Sequence, residues 1–453
     1  MNAKDGMRTF WVIWGGQAVS MIGTAMTRFA LLIWAFERDG SATTLALLGF
    51  FSFCLYLLFS PLAGVLVDRW DRRKVMLWSD LGAGVMTAGL LGLCLGGHLQ
   101  LWHVYLAQAV SGACEAFQGP AYTASVTLLV PKAQYARANG LVSLALSAAR
   151  LLSPALAGAV LSVVQIEGVM TIDVLTFLVS MGTLLFVRVP RPVSSAVGRA
   201  AGGQLWAEMS LGLRFIRQRP GLLGMVFIFS GINLFASLTY FSILPAYILA
   251  RSGGDKMALG VVQSVMGIGE VLGGVLVGVS GGPRRKVHGF LLCTALSFLC
   301  GDLVFAAGRS LPAWVAAALG ATIFIPFIVS SSAAIWQSKV PPDVQGRVFA
   351  SKDMLQQTVM PLGYLGGGLL ADHVFNPAMS AGGAWSALFS GLVGSGPGAG
   401  IGLMFVCTGL LGAGIGLGGY LLRPVREIER DLPDYDVAAP ETRPVADGLA
   451  PSS

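Results

Sequence analysis

Charge is scarce in this chain. Asp, Glu, Lys and Arg together make up 12% of its 453 residues, about half the ~25% of an ordinary soluble domain. With hydrophobic residues at 55%, disorder is excluded, because disorder requires high charge and low hydrophobicity. A water-soluble globule is excluded too. It would have to hide more apolar side chain than its surface-to-volume ratio allows. Histidine is also rare, with four residues, and no HExxH occurs. No GxSxG elbow occurs, and no glycine run precedes a Lys-Ser or Lys-Thr pair. The usual residues of metal hydrolysis, acyl transfer and nucleotide binding are therefore missing, and no enzyme, metal or cofactor is expected. The six cysteines (Cys54, Cys94, Cys114, Cys293, Cys300 and Cys407) all lie in apolar runs, none in a CxxC. They read as small hydrophobes.

What the chain has in abundance is long apolar runs. A membrane helix needs about 20 such residues. Twelve runs qualify, at about 10–36, 44–67, 75–97, 101–124, 138–163, 169–188, 221–248, 258–279, 287–308, 312–337, 353–371 and 399–422. The first is too long for a signal-peptide core and is expected to remain as a span. Twelve spans put both termini on one side. Of the 30 Lys and Arg residues, 24 fall in the termini and loops of that side. Arg38, Arg251, Lys256 and Arg309 lie on the other, and Arg28 and Arg150 lie within spans. By the positive-inside rule the first side is cytoplasmic. The surplus of +7 thus reads as membrane orientation, and no nucleic-acid partner is expected.

The chain also repeats itself. Gly64-Val65-Leu66-Val67 followed by Arg72-Arg73-Lys74 returns as Gly274-Val275-Leu276-Val277 followed by Arg284-Arg285-Lys286. Val130-Pro131 before Arg137 returns as Val340-Pro341 before Arg347, 210 residues on. Corresponding loops with the same orientation imply two parallel six-helix repeats, one of the transporter layouts. The expected division is 1–188 and 221–423 for the two halves, 189–220 for a linker and 424–453 for a disordered acidic tail. Within the linker, Leu205, Met209, Leu213 and Ile216 stand near helical spacing, as in an amphipathic helix on the membrane surface.

The segment from Gly64 through Asp68, Arg69, Asp71 and Arg72 to Val75 resembles the loop between spans 2 and 3 of the major facilitator superfamily, which commonly has Gly where this chain has Asp71. Leu129-Val130-Pro131, Arg137-Ala138-Asn139, Gln345-Gly346-Arg347-Val348 and Trp14-Gly15-Gly16-Gln17 resemble its macrolide-efflux-like branch. The resemblance implies an all-α polytopic membrane protein of twelve helices in the bacterial cytoplasmic membrane, exporting amphipathic small molecules by alternating access, with protons as the coupling ion. It is expected to act as a monomer in the bilayer. Two alternatives remain: a dedicated exporter of one metabolite (a siderophore, lipid or peptide product), or a non-transporting sensor or scaffold. The family's antiporter motifs are altered, with Gln108 in span 4 and Ser153-Pro154-Ala155-Leu156-Ala157-Gly158 in span 5.

Charges inside a membrane are functional suspects, because each costs at least about 2.5 kcal/mol at mid-span. Arg28, Glu115, Arg150 and Glu270 lie deep in spans that the resemblance places around or beside the central cavity. Glu115 is expected to carry the coupling proton, with Arg28 or Arg150 as its partner in one state. Asp302 is expected to be structural. Asp80 and Asp173, nearer helix ends, are expected to reach water. Asp68, Arg69, Arg72, Arg347 and Asp353 are expected to form an inner gate at the start of span 11. Pocket candidates are Gln17, Met21, Phe117, Asn233, Phe235, Tyr240, Phe324 and Trp336, chosen as mid-span amides, Met and aromatics.

Overall fold

The computed structural model describes residues 3–131, 134–187, 212–341 and 344–434. Among the described residues there is no strand, and ten helices are long and apolar enough to cross a membrane. In lipid no water can satisfy backbone N–H and C=O groups, so a spanning chain that is not a closed barrel must be helical.

Each of the twelve apolar runs is helical. The first half comprises α1 (Ala3–Asp39), α2 (Ala42–Arg69), α3 (Arg72–Leu95), α4 (Leu101–Leu129), α5 (Tyr135–Leu161) and α6 (Ile166–Phe186). The second comprises α7 (Pro220–Ser252), α8 (Lys256–Ser280), α9 (Lys286–Ala307), α10 (Leu311–Lys339), α11 (345–379) and α12 (Ala399–Gly418). The two runs outside the ten are α4, which carries Gln108, Glu115 and Gln118, and the interrupted α11. Short polar residues set several starts. Ser41 caps α2, Asp71 caps α3, and Asp255 accepts from the Met257 and Ala258 amides of α8 at 2.9 and 3.0 Å. Gly253 and Gly281, at φ +69° and +70°, close α7 and α8.

The second half is interrupted where the first is continuous. A π turn at Thr239–Ile243 precedes Pro245, and another at Ala371–Phe375 precedes Pro377. α10 breaks at 323–324 before Pro326, and α11 at 358–359 before Pro361. Proline lacks an N–H, so the carbonyl four residues earlier loses its partner and the helix relaxes there.

The halves share one packing plan. In the first, α1 packs on α5 and α6, and α3 and α4 pack on each other, on α6 and on α2 respectively. In the second, α7 packs on α11 and α12, α8 on α10, and α9 on α10 and α12. Those pairs are the same under a shift of six helices, as the repeated loops predict. The halves join through α2 against α11 and α5 against α8.

Apolar burial does not drive helix association in lipid, so close backbone approach matters. A Cβ on Gly416 would stand 2.8 Å from the Leu291 carbonyl, and one on Gly320 would stand 2.6 Å from the Cys300 carbonyl.

Three buried clusters define the shape. The largest draws on both halves, from Met26, Leu45, Val104 and Ala157 to Leu244, Leu259, Phe305 and Met404. It lies at the end away from the basic loops. At the basic end the second half has its own cluster around Phe290, Trp336 and Ile428. The first half has another around Phe10, Val75 and Val126. The halves thus fuse at one end and keep separate cores at the basic end.

The acidic tail begins differently from the expectation. Residues 423–434 form two short helical turns, Arg423–Arg426 and Ile428–Asp431, with Val425 and Ile428 buried in the second half's cluster. Residues 435–453 and the linker stripe at Leu205 and Met209 lie outside the described residues; 212–217 is helical, with Ile216 buried.

Candidate functional site

The mid-span charges form two pairs. Arg28 of α1 bonds Glu115 of α4 within the first half. The side chains are 36% and 39% exposed, so the pair is not sealed in the core. The buried Arg28 Nε has no hydrogen-bond partner. Arg150 of α5 stands 3.8 Å from Glu270 of α8 and joins the two halves. The pairing question raised by the sequence resolves as Arg28 with Glu115.

The second pair marks where the halves part. α5 and α8 run antiparallel. Gly158 meets Lys256 and Met257, Pro154 and Ala155 meet Gly260, and Leu151 meets Gly267. Arg150 with Glu270 follows. Beyond that level a Cβ on Gly274, Gly278 or Gly140 would meet nothing within 4 Å, and Leu144 and Leu146 are exposed. α2 and α11 behave alike. Gly368 packs against Thr43 and Ala46, and Tyr364 against Gly49. Towards the basic end Leu58, Leu62 and Leu362 are exposed. Among these positions, close contacts between the halves end near the level of Arg150 and Glu270, and the basic end carries two separate buried clusters.

The opposite end is latched across the halves. Asp372 of α11 accepts from Ser41 Oγ and the Thr43 amide at 2.7 Å and from the Ala42 amide at 3.2 Å, so it caps α2. Burial raises its pKa, but the bonds from Ser41, Thr43 and Ala42 outweigh this and hold it below the ordinary carboxylate value. Lys256 of α8 bonds Glu37 of α1 at 2.6 Å. Beside this latch a cavity of about 720 Å³ is lined by Phe36, Ala246, Asp372, Asn376, Ser390 and Ile401, among others. The segment from Asp372 to Gly398 supplies much of its wall.

The carboxylates expected to reach water are buried. Asp80 accepts from Gln17 Nε2 at 2.7 Å, and from Gln118. Gln17 Nε2 also bonds Ser180 Oγ at 3.0 Å, so the network ties α1, α3, α4 and α6. Asp173 accepts from Thr24 at 3.0 Å and Thr87 at 3.1 Å. Asp302, 0% exposed, accepts from Tyr240 and from Thr408 Oγ1 at 2.7 Å. Every buried carboxylate has found donors, as lipid requires.

The other pocket candidates divide. Gln17 is spent on the Asp80 network, Tyr240 on Asp302, and Trp336 is buried in the second half's basic-end cluster. Asn233 donates to the Gln356 carbonyl at 2.9 Å. Phe235 lies edge-on to Phe298 at 6.3 Å, and Phe117 lies 6.2 Å from Phe59. Met21 and Phe324 are half-buried, Phe324 at the break in α10. Of the inner-gate group, Arg72 donates to the Ala124 carbonyl at 2.6 Å, and Lys352 holds Asp353 at 3.1 Å. Arg347 is exposed on the first turn of α11. The side chains of Asp68 and Arg69 lie outside those described.

Two six-helix repeats joined at one end, with one mid-span ion pair inside the first and another between the two, have a counterpart in known sequences. The profile of the Major Facilitator Superfamily matches residues 13–364. The chain belongs to this superfamily. Macrolide efflux protein A of Streptococcus pyogenes is 28% identical over 371 residues, covering 81% of this chain and 90% of that protein. The putative bacilysin exporter BacE of Bacillus subtilis is 27% identical over 342 residues, covering 74% and 82%. Among solved superfamily-like folds, an inward-facing, unoccupied bacterial homologue of the lysosomal transporter Spinster superposes with a TM-score of 0.63 at 16% identity, covering 90% and 96%. An auto-inhibited POT family peptide transporter superposes at 0.67 and 15%, covering 95% and 99%. The superfamily chain is thus a multi-pass membrane transporter with efflux relatives, and not an enzyme.

Proposed function

We propose that this protein exports amphipathic small molecules across the bacterial cytoplasmic membrane by twelve-span alternating access, in exchange for protons. The basic end, with both termini, is cytoplasmic, and the structure is then the inward-open state. The observation that carries the reading is the part-exposed, mid-span Arg28–Glu115 pair, in a fold whose halves share a core at one end and keep separate cores at the basic end. Substrate enters from the inner side. The halves rock, the basic end closes, and the Asp372 and Lys256 latches release. Arg28 and Glu115 separate during this change, and a carboxylate that loses its cationic partner in a dry site takes up a proton from the outer side. Return re-forms the pair and releases the proton inward. A proton crossing about 100 mV gains about 2.3 kcal/mol, and one favourable pH unit adds about 1.4 kcal/mol. Together these sustain a gradient of several hundred-fold. The protein works as a monomer, because each half supplies one wall of the cavity. The inner gate at Asp68, Arg69, Arg72, Arg347 and Asp353 closes the basic end in the alternate state.

The likeness to the putative bacilysin exporter supports a second reading, export of one endogenous product. Accumulation of a radiolabelled macrolide in cells, with and without a protonophore, tests the first. Low accumulation that rises with protonophore is expected, and Glu115→Gln should abolish the difference. Full protonophore-sensitive efflux in Glu115→Gln sinks the coupling role. A wild type that leaves macrolide levels unchanged but lowers those of an endogenous peptide favours the second.

A further inference from the structure

Basic residues are scarce at the latched end, where only Arg38, Arg251, Lys256 and Arg309 lie, yet two of them converge. A Cβ on Gly394 would stand 3.2 Å from Nη1 of Arg251 and 3.3 Å from Nε of Arg309. Both guanidinium groups therefore reach one point on the loop before α12. Arg251 also lies against the start of α12. A Cβ on Gly398 would stand 3.4 Å from its Nε, and one on Gly402 3.6 Å from its Nη2. α12 opens at Gly398 with no side-chain cap, so its N-terminal dipole adds to the positive field. Like charges this close repel. The C-terminal ends of α7 and α9, where the two arginines stand, offset part of this, and Arg251 donates to the Val393 carbonyl. A full negative charge is still missing. Neither arginine has an ion pair among the described residues, and the buried Arg251 Nε has no hydrogen-bond partner. The acids of this end are engaged elsewhere: Glu37 with Lys256, Asp39 with Thr44, Asp255 with the first amides of α8, and Asp372 with those of α2. The same loop walls the cavity of about 720 Å³, where Gly396, Gly398 and Ile401 stand with Phe36, Ala246 and Met379.

We propose that Arg251, Arg309 and the start of α12 form an oxyanion site that takes a phosphate group, carried by an anionic phospholipid or free in solution. Guanidinium forks match phosphate oxygens bidentately, and a helix N-terminus favours the same negative charge. A phospholipid held there lays its apolar part into the cavity, against Phe36 of the first half and Met379 and Ile401 of the second. Free phosphate fills only the polar end. The site is separate from the Arg28–Glu115 pair, and the inference does not rest on the export reading.

The experiment uses the purified full chain in a neutral detergent, with its six cysteines replaced and bimane on Ser380→Cys, an exposed position lining the cavity. Phosphatidylglycerol with brominated acyl chains should quench the bimane saturably, and brominated phosphatidylcholine only weakly. Arg251→Gln and Arg309→Gln should each raise the half-quenching concentration of phosphatidylglycerol about fivefold. Arg309 is exposed and makes no hydrogen bond among the described residues, so Arg309→Gln keeps the fold intact. Arg251→Lys should fall between Arg251→Gln and the parent, and Arg38→Gln, at the same end, should leave quenching unchanged. Radiolabelled inorganic phosphate dialysed against the lipid-free chain is the second arm. Phosphate binding that Arg309→Gln abolishes, without a preference between the lipids, assigns the site to the free ion. Phosphatidylglycerol quenching that Arg309→Gln weakens assigns it to the lipid. The site is overturned if Arg309→Gln changes neither lipid quenching nor phosphate binding, or if Arg38→Gln weakens both as much as Arg309→Gln does.

Discussion

Asp302 shows what a single carboxylate requires inside this fold. It has no exposed surface, and Tyr240 and Thr408 are its donors. Thr408→Val is nearly isosteric and removes the 2.7 Å bond, so it should cost about 1–3 kcal/mol. The check is the thermal midpoint of the purified protein in detergent, which should fall while Thr408→Ser stays near wild type. The sequence marked Asp302 as structural, yet it misjudged Asp80 and Asp173. Distance from a helix end gives depth but not face, and both carboxylates turn inward to Gln17, Gln118, Thr24 and Thr87. The same blindness affected Gln17. A mid-span amide signals that some partner exists, but a ligand and a neighbouring helix satisfy it equally well.

At the scale of elements, helix ends do much of the joining. Asp372 caps α2 from the other half, and its carboxylate is held below the ordinary value. A group with a depressed pKa stabilises the state that holds it at any pH above its released value, near 4, and the contribution fades as pH falls through the depressed value. The latch is therefore fully formed at neutral pH and weakens only in strong acid. Asp372→Asn should shift the population towards the outward-open state at pH 7, seen as faster labelling of a cysteine placed at Ala46. An unchanged labelling rate would count against the latch. The tail makes a second such join. Glu429 accepts from the Lys286 and Val287 amides at 3.0 and 3.1 Å, capping α9. The buried Lys339 bonds the Glu429 carbonyl at 3.0 Å and Asp434 at 2.8 Å, and that Lys339 bond holds Asp434 below its ordinary value. Glu429→Ala should lower the thermal midpoint, by about 1 kcal/mol for a lost cap, and expose 423–434 to protease. The tail's acidic, proline-containing composition argued for disorder. What composition averaged away is a local pair, Val425 and Ile428, spaced to pack on the second half. Proline did not by itself make the helix breaks legible: Pro245, Pro326, Pro361 and Pro377 each follow one, but Pro61, Pro120 and Pro154 lie inside continuous helices.

For the whole molecule, the repeat was written in the loops, and the two matched packing plans follow it. The conformational state was not written there. What the structure adds is the partition of buried side chains into one shared cluster and two separate ones. That partition makes a sharp demand on the seam between α5 and α8. A Cβ on Gly158 would stand 3.7 Å from the Met257 Cα, so the two positions face each other at close range across the seam. In a background with the six free cysteines replaced, Gly158→Cys with Met257→Cys should oxidise readily at rest, and efflux should stop until a reductant restores it. Leu144→Cys with Gly278→Cys continues the same antiparallel register past Arg150 and Glu270, into the part of the seam that is open. This second pair should resist oxidation at rest and cross-link only during turnover, when the basic end closes. If both pairs cross-link equally in resting membranes, the halves do not part at Arg150 and Glu270.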